Sequence, residues 1–132
     1  MRAATFLDGE EWREGVARVV DGRMLVRDDL ATTGLPRLDG VVTGGFTDHH
    51  VHLQLVDTTG LAGSALGRVI DLGANPEVVA RLAASGLGPT VDFAGAFLTA
   101  PGGYPPDRAL APPGSVRGHI HAEQAAETVT EM

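Results

Sequence analysis

Gly44-Gly45-Phe46-Thr47-Asp48-His49-His50-Val51-His52-Leu53 holds three of the chain's five histidines in an apolar, strand-like context. Side chains of an extended strand alternate between faces, so Asp48, His50 and His52 are expected on one face and His49 on the other. Two imidazoles on one face can converge on a single cation, because Zn–N bonds need only about 2.0–2.1 Å from each ring. The glycines before Phe46 are expected to let the backbone enter the strand through a tight or unusual turn. Taken alone, a His-x-His pair also suits a plain polar edge, so the surrounding sequence decides.

Upstream, residues 3 to 43 read as short strands. Val16 to Val20 and Arg23 to Val26 flank Asp21-Gly22. An Asp-Gly pair between two such runs predicts a two-residue hairpin, because both turn positions need positive φ. Trp12, the only tryptophan, is expected at a hairpin tip or as a cover over this small sheet. Asp28 to Gly40 is polar, holds Gly34, Pro36 and Gly40, and reads as a loop.

Downstream, Asp57 to Leu66 reads as a poor helix: Asp57 suits a cap, but Gly60 and Gly63 each cost about 1 kcal/mol relative to alanine. Arg68 to Leu72 is a short apolar strand. Asn75-Pro76-Glu77 predicts a helix start, with a cap residue, proline at the first helical position and an acid beside the positive helix end. Val78, Val79, Leu82 and Ala83 give that helix an apolar stripe, and Gly86 stops it. Val91 to Thr99 reads as the next strand, Pro101 to Gly114 as a long loop and Ala122 to Met132 as a final helix. Strand starts near residues 46, 68 and 91 are spaced like repeated β/α units, which build parallel sheets.

The stretch Gly45-Phe46-Thr47-Asp48-His49-His50-Val51-His52 resembles the Gly-Phe-x-Asp-x-His-x-His signature of the amidohydrolase superfamily. These are metal-dependent hydrolases built on a (β/α)8 barrel, and the signature opens their first barrel strand. Asp71-Leu72-Gly73 and Phe97-Leu98-Thr99-Ala100-Pro101-Gly102-Gly103-Tyr104 look like later strand ends of the same barrel. The resemblance implies an α/β fold: a small, incomplete β domain over residues 1–43, then the first three β/α units of a TIM-like barrel over residues 44–132. In the family the small domain is completed by strands from the C-terminal end of the chain. A complete barrel takes about 250 residues. With 132 residues, the barrel is expected to be only an N-terminal portion.

The same resemblance makes His50 and His52 ligands of a catalytic divalent metal, zinc first, and gives Asp48 the place of the motif aspartate. A carboxylate there can hydrogen-bond a ligand histidine and fix its tautomer, or touch the metal itself. Asp71 is a candidate acid at a strand end, and equally a turn aspartate next to Gly73. Thr99 and Tyr104 are candidates for substrate contact, with Tyr104 also suited to packing over the barrel mouth. His49 faces away and is not taken as a ligand. The second pair, His119 and His121, directly precedes a helix start, where a capping position is the simpler reading.

The implied reaction is metal-assisted hydrolysis of C–N bonds in cyclic amides and ureas: the cation brings the pKa of a bound water to about 7 and polarises a carbonyl. In the family, further ligands come from later strands, among them a carboxylated lysine or a glutamate, histidines, and an aspartate base. This chain has no lysine, its ten basic residues all being arginine. The alternative is therefore a non-catalytic fragment or remnant that folds partly or associates. A complementary C-terminal half or a second copy is the expected partner, beside a small-molecule substrate.

Composition fits a globular chain, with 43% hydrophobic and 20% charged residues. A formal net charge of −7 argues against nucleic acid or an anionic membrane as partner. The absence of cysteine excludes disulfides and thiolate metal sites, and makes a cytoplasmic setting the expectation. Residues 1 to 8 carry no apolar core of signal-peptide length, and no run approaches the ~20 apolar residues of a membrane span.

Overall fold

The computed structural model of the chain describes all residues except Leu87, Pro106, Asp107, Ala109, Leu110, Ile120 and Met132, and the side chain of Glu131. Two compact units follow one another, Met1–Gly44 and Gly45–Met132.

The first unit is a four-stranded sheet of β1 (Arg2–Asp8), β2 (Glu11–Val20), β3 (Arg23–Arg27) and β4 (Arg37–Val42), in the order β3-β2-β1-β4. β1 and β3 run antiparallel to β2, and β4 joins β1 in parallel. The hairpin expected at Asp21-Gly22 forms between β2 and β3, with φ of 51° and 75° at the two turn residues. Trp12 lies in β2 opposite Leu7, near the β1–β2 turn, and is exposed. The segment read as a loop ends earlier than expected, because Arg37 to Val42 pairs with β1. Gly15 is needed where it stands: a Cβ there would lie 2.4 Å from the Arg27 carbonyl oxygen. Ala3, Ala4, Val16 and Ala17 form the buried core.

The second unit opens on β5 (Phe46–Val51), which pairs in parallel with β6 (Leu66–Asp71), and β6 pairs in parallel with β7 (Thr90–Phe93). α1 (Pro76–Ala84) connects β6 to β7, starting as expected: the Asn75 side chain accepts from Glu77 N at 3.1 Å with Pro76 in the first turn. Gly86 follows it at φ 73°. β8 (Phe97–Thr99) and β9 (Val116–Gly118) form a separate two-stranded parallel sheet, and α2 covers Ala122–Glu131. The expected last residue of that helix, Met132, lies outside the described residues. Leu53, Val69, Ala74 and Val79 make the buried core, with Val51, Leu61, Leu66, Leu82 and Val91 packed against it.

This is not a partial (β/α)8 barrel. Among the described residues, nine strands in one mixed and two parallel sheets outweigh two α-helices. Regular spacing of strand starts implied a helix in each interval, and only the β6–β7 interval holds one. Between β5 and β6 the chain forms two 3₁₀ turns, Leu53–Leu55 and Leu61–Gly63. There Asp57 does not cap a helix; its Oδ1 accepts from Thr59 N at 2.9 Å in a local turn. The strand expected over Val91 to Thr99 is cut in two, with Gly95 at φ 87° between β7 and β8. Gly44 and Gly45 are also used differently from expectation, since neither has a positive φ. A Cβ on Gly45 would lie 2.6 Å from the Gly67 Cα, so β5 and β6 approach closely where they begin.

Among the described residues, no helix is long and apolar enough to cross a membrane.

On the first sheet, Glu14 accepts from both Thr5 Oγ1 and the Arg37 guanidinium. The Arg37 hydrogen bonds, then that of Thr5, draw its carboxyl down from an ordinary 4.5 to about 2. A carboxyl lowered on folding stabilises the fold above its unfolded pKa, and that contribution is lost as pH falls through the folded value. Urea unfolding of wild type and Glu14→Gln is expected to show a stability gap above pH 5 that closes as pH falls through 4.5 towards 2. Added salt should narrow the gap, because the pair is exposed. A gap independent of pH would show that the ion pair contributes nothing.

Candidate metal centre

The histidines sit at the C-terminal end of β5. Asp48 lies beside Val69 and Val51 beside Asp71, so three steps on β5 match two on β6. The extra residue makes a bulge at His49 and His50, and strict alternation from Asp48 to His52 is lost. His50 and His52 nevertheless stay together, their ring centres 5.3 Å apart and their planes at 80°. Asp48 is not aligned on a ring: its Oδ1 accepts from the His50 backbone N at 3.0 Å, which ties down the bulge. His49 is exposed.

The His52 ring is held from two directions. Its Nδ1 lies 3.0 Å from the Gly73 carbonyl oxygen, just past the end of β6. The Phe97 ring, at the start of β8, packs 5.5 Å away at 45°. Gly73 makes this assembly fit, because a Cβ there would stand 2.2 Å from Phe97 Cε1 and Cζ.

Asp71 is fully buried beneath these groups. Its Oδ2 accepts from Leu53 N at 2.7 Å and its Oδ1 from Gly73 N at 2.9 Å. The second contact is the turn expected of an aspartate two residues before a glycine. Both oxygens are therefore engaged by backbone donors. Nearby, Gln54 Oε1 accepts from Asn75 N at 2.9 Å, joining the turn after β5 to the start of α1.

Thr99 lies two residues after Phe97 on β8. It lines a groove of about 350 Å³ with His119, His121, Ala122 and Ala125, and its carbonyl accepts from His119 N at 2.9 Å. His119 Nε2 is 3.0 Å from Thr128 Oγ1, and His121 N donates to Gln124 Oε1 at 3.3 Å, as a residue capping α2 does. Tyr104 is 65% exposed, and among the described residues no hydrogen bond or ring contact joins it to His50 or His52.

Two features were missed from sequence. The Gly73 carbonyl carries no side-chain signal. Phe97 was visible only as an apolar strand residue, since nothing local marks which ring it meets.

His50 and His52 are the residues that would hold a divalent cation, and their ring-centre separation is the one observation that bears on the fit. With Zn–N bonds of about 2.0–2.1 Å, each ring centre lies about 3.2 Å from the ion, and a tetrahedral angle then sets two centres roughly 5 Å apart. The observed 5.3 Å is compatible with that spacing and lies equally within the range of about 4.5–7 Å for edge-to-face ring pairs. Among the described residues, no group of three or more His, Cys, Asp or Glu gathers around a common point.

Gly73→Ala is expected to destabilise the second unit by about 1–3 kcal/mol, since the methyl must displace the Phe97 ring. Removing that ring should relieve part of the strain, so the double variant with Phe97→Ala should be more stable than the two single costs predict. Additive costs in chemical denaturation would argue against the clash.

No family model, no curated protein and no solved structure matches this chain.

Proposed function

We propose that this chain is a metal-dependent hydrolase of C–N bonds, with a divalent cation, zinc first, held by His50 and His52. The observation that carries this reading is the 5.3 Å pairing of the two rings, a separation that a shared ion allows and that edge-to-face packing also gives. The similarity of Gly45 to His52 to the amidohydrolase signature supports the substrate class, cyclic amides and ureas. When bound, the cation supplies Lewis acidity toward the scissile carbonyl and toward water. His50 and His52 give it their ring lone pairs. Asp48 fixes the backbone at His50, and Gly73 holds the His52 ring through its carbonyl. A third ligand and a general base come from a complementary half or a second copy.

The donor count favours a second reading, a chain that binds the cation without turnover. Two imidazoles fall short of the three protein ligands usual for catalytic zinc. Asp71, the nearest carboxyl on β6, already has both oxygens on backbone N–H groups.

Zinc titration against a chromophoric chelator tests the shared premise. Wild type is expected to bind a single zinc weakly, and His50→Ala and His52→Ala should each lose it, while His119→Ala and His121→Ala keep it. Equal binding by all five proteins would remove the site. Loss only at His119 or His121 would move it to the groove beside α2. Assays on lactams, hydantoins and ureas with zinc or manganese then separate the readings. Turnover that disappears in His50→Ala supports the hydrolase, and binding without turnover supports the second reading.

A further inference from the structure

A carbonyl oxygen can only accept, so the 3.0 Å contact between His52 Nδ1 and the Gly73 carbonyl places a proton on Nδ1. In the neutral ring Nε2 then carries the lone pair. Histidine free in water prefers the opposite tautomer, with the proton on Nε2, so the fold must impose this one.

What imposes it is the backbone on both sides of the contact. The peptide after His52 donates through Leu53 N to Asp71 Oδ2, and the peptide before Gly73 donates through its N to Asp71 Oδ1. One buried carboxylate therefore fixes the ring's own chain and the chain of its acceptor. Other bonds support the arrangement: Leu72 N donates to the Val51 carbonyl at 3.0 Å, and Ala74 N to the Gly95 carbonyl at 2.9 Å. The Phe97 ring limits rotation of the imidazole.

We propose that Asp71 is a positioning residue which, by bridging Leu53 N and Gly73 N, selects the Nδ1–H tautomer of His52 and presents Nε2 to a cation. The purpose of that selection rests on the metal-site reading above, while the selection itself belongs to the metal-free protein. Asp71 acts through the backbone and touches neither metal nor substrate. The sequence led to Asp48 as the carboxylate that sets a ligand tautomer; the geometry gives the task to Asp71 through Gly73.

Long-range ¹⁵N–¹H correlation of histidine-labelled, metal-free protein, at a pH where the rings are neutral, reads the tautomer directly. Wild-type His52 is expected to show a protonated Nδ1 and a pyridine-like Nε2. Asp71→Asn keeps the shape but turns one acceptor into a donor facing a backbone N–H. It should shift His52 toward the Nε2–H form and weaken zinc binding about 10- to 100-fold. A folded Asp71→Asn protein with an unchanged tautomer and unchanged zinc affinity would overturn the proposal. If that variant does not fold, wild type still decides: scalar couplings across the hydrogen bonds from Leu53 N and Gly73 N to the Asp71 carboxyl must be present. Their absence, or an Nε2–H tautomer in wild type, overturns it. An Nδ1–H tautomer with those couplings but without zinc binding would support the selection and overturn the metal reading instead.

Discussion

The second unit depends on one buried carboxylate. Asp71 ends β6, and its two oxygens close the turn into Gly73 and anchor the peptide that leaves β5 at Leu53. A buried carboxyl is tolerated when its acceptors are filled, and leaving either N–H unmatched would cost about 1–3 kcal/mol. No buried side-chain polar atom lacks a partner among the described residues. The Val69 and Val79 core beside it is small, so these polar bonds carry a correspondingly large share of the specification of the strand ends.

Close approach sets the rest of the geometry. Gly45 and Gly67 let β5 and β6 touch where they begin, and Gly73 lets the Phe97 ring lie against the turn after β6. Each site excludes a side chain for lack of room, not because φ is unusual. The same crowding brings an aromatic ring against His52 and leaves that imidazole half-buried, while His50 is exposed. The two histidines of one motif therefore live in different surroundings: one is locked and the other open to solvent.

What was legible in the sequence was local chemistry. Asp21-Gly22 announced its hairpin because few residues take positive φ, and Asn75-Pro76-Glu77 announced α1 because cap, ring and charge agree. The barrel was not legible, and the expectation of one was wrong. Strand spacing reports how far apart strands begin, not what fills the interval, and Gly60, Gly63 and the Asp57 turn filled one interval with 3₁₀ turns. The histidine pair was legible as a pair. Its supports were not, since a backbone carbonyl at Gly73 and a ring 45 residues along the chain from His52 have no local signature.

The bulge in β5 makes the strand's length as informative as its composition. Three steps on β5 are matched to two on β6 between Asp48 and Val51. Deleting His49 or His50 would even out the ladder between Asp48 and Val51, still beside Val69 and Asp71, while the shift between Phe46 and Thr47 would stay. Such a deletion would preserve the sheet and remove the residue that the bulge accommodates. An insertion on β6 opposite the bulge would have a similar levelling effect, with both histidines kept but strict alternation restored. Related chains should therefore tolerate substitutions along this strand more readily than single-residue insertions or deletions, because length sets which side chains the strand end can offer.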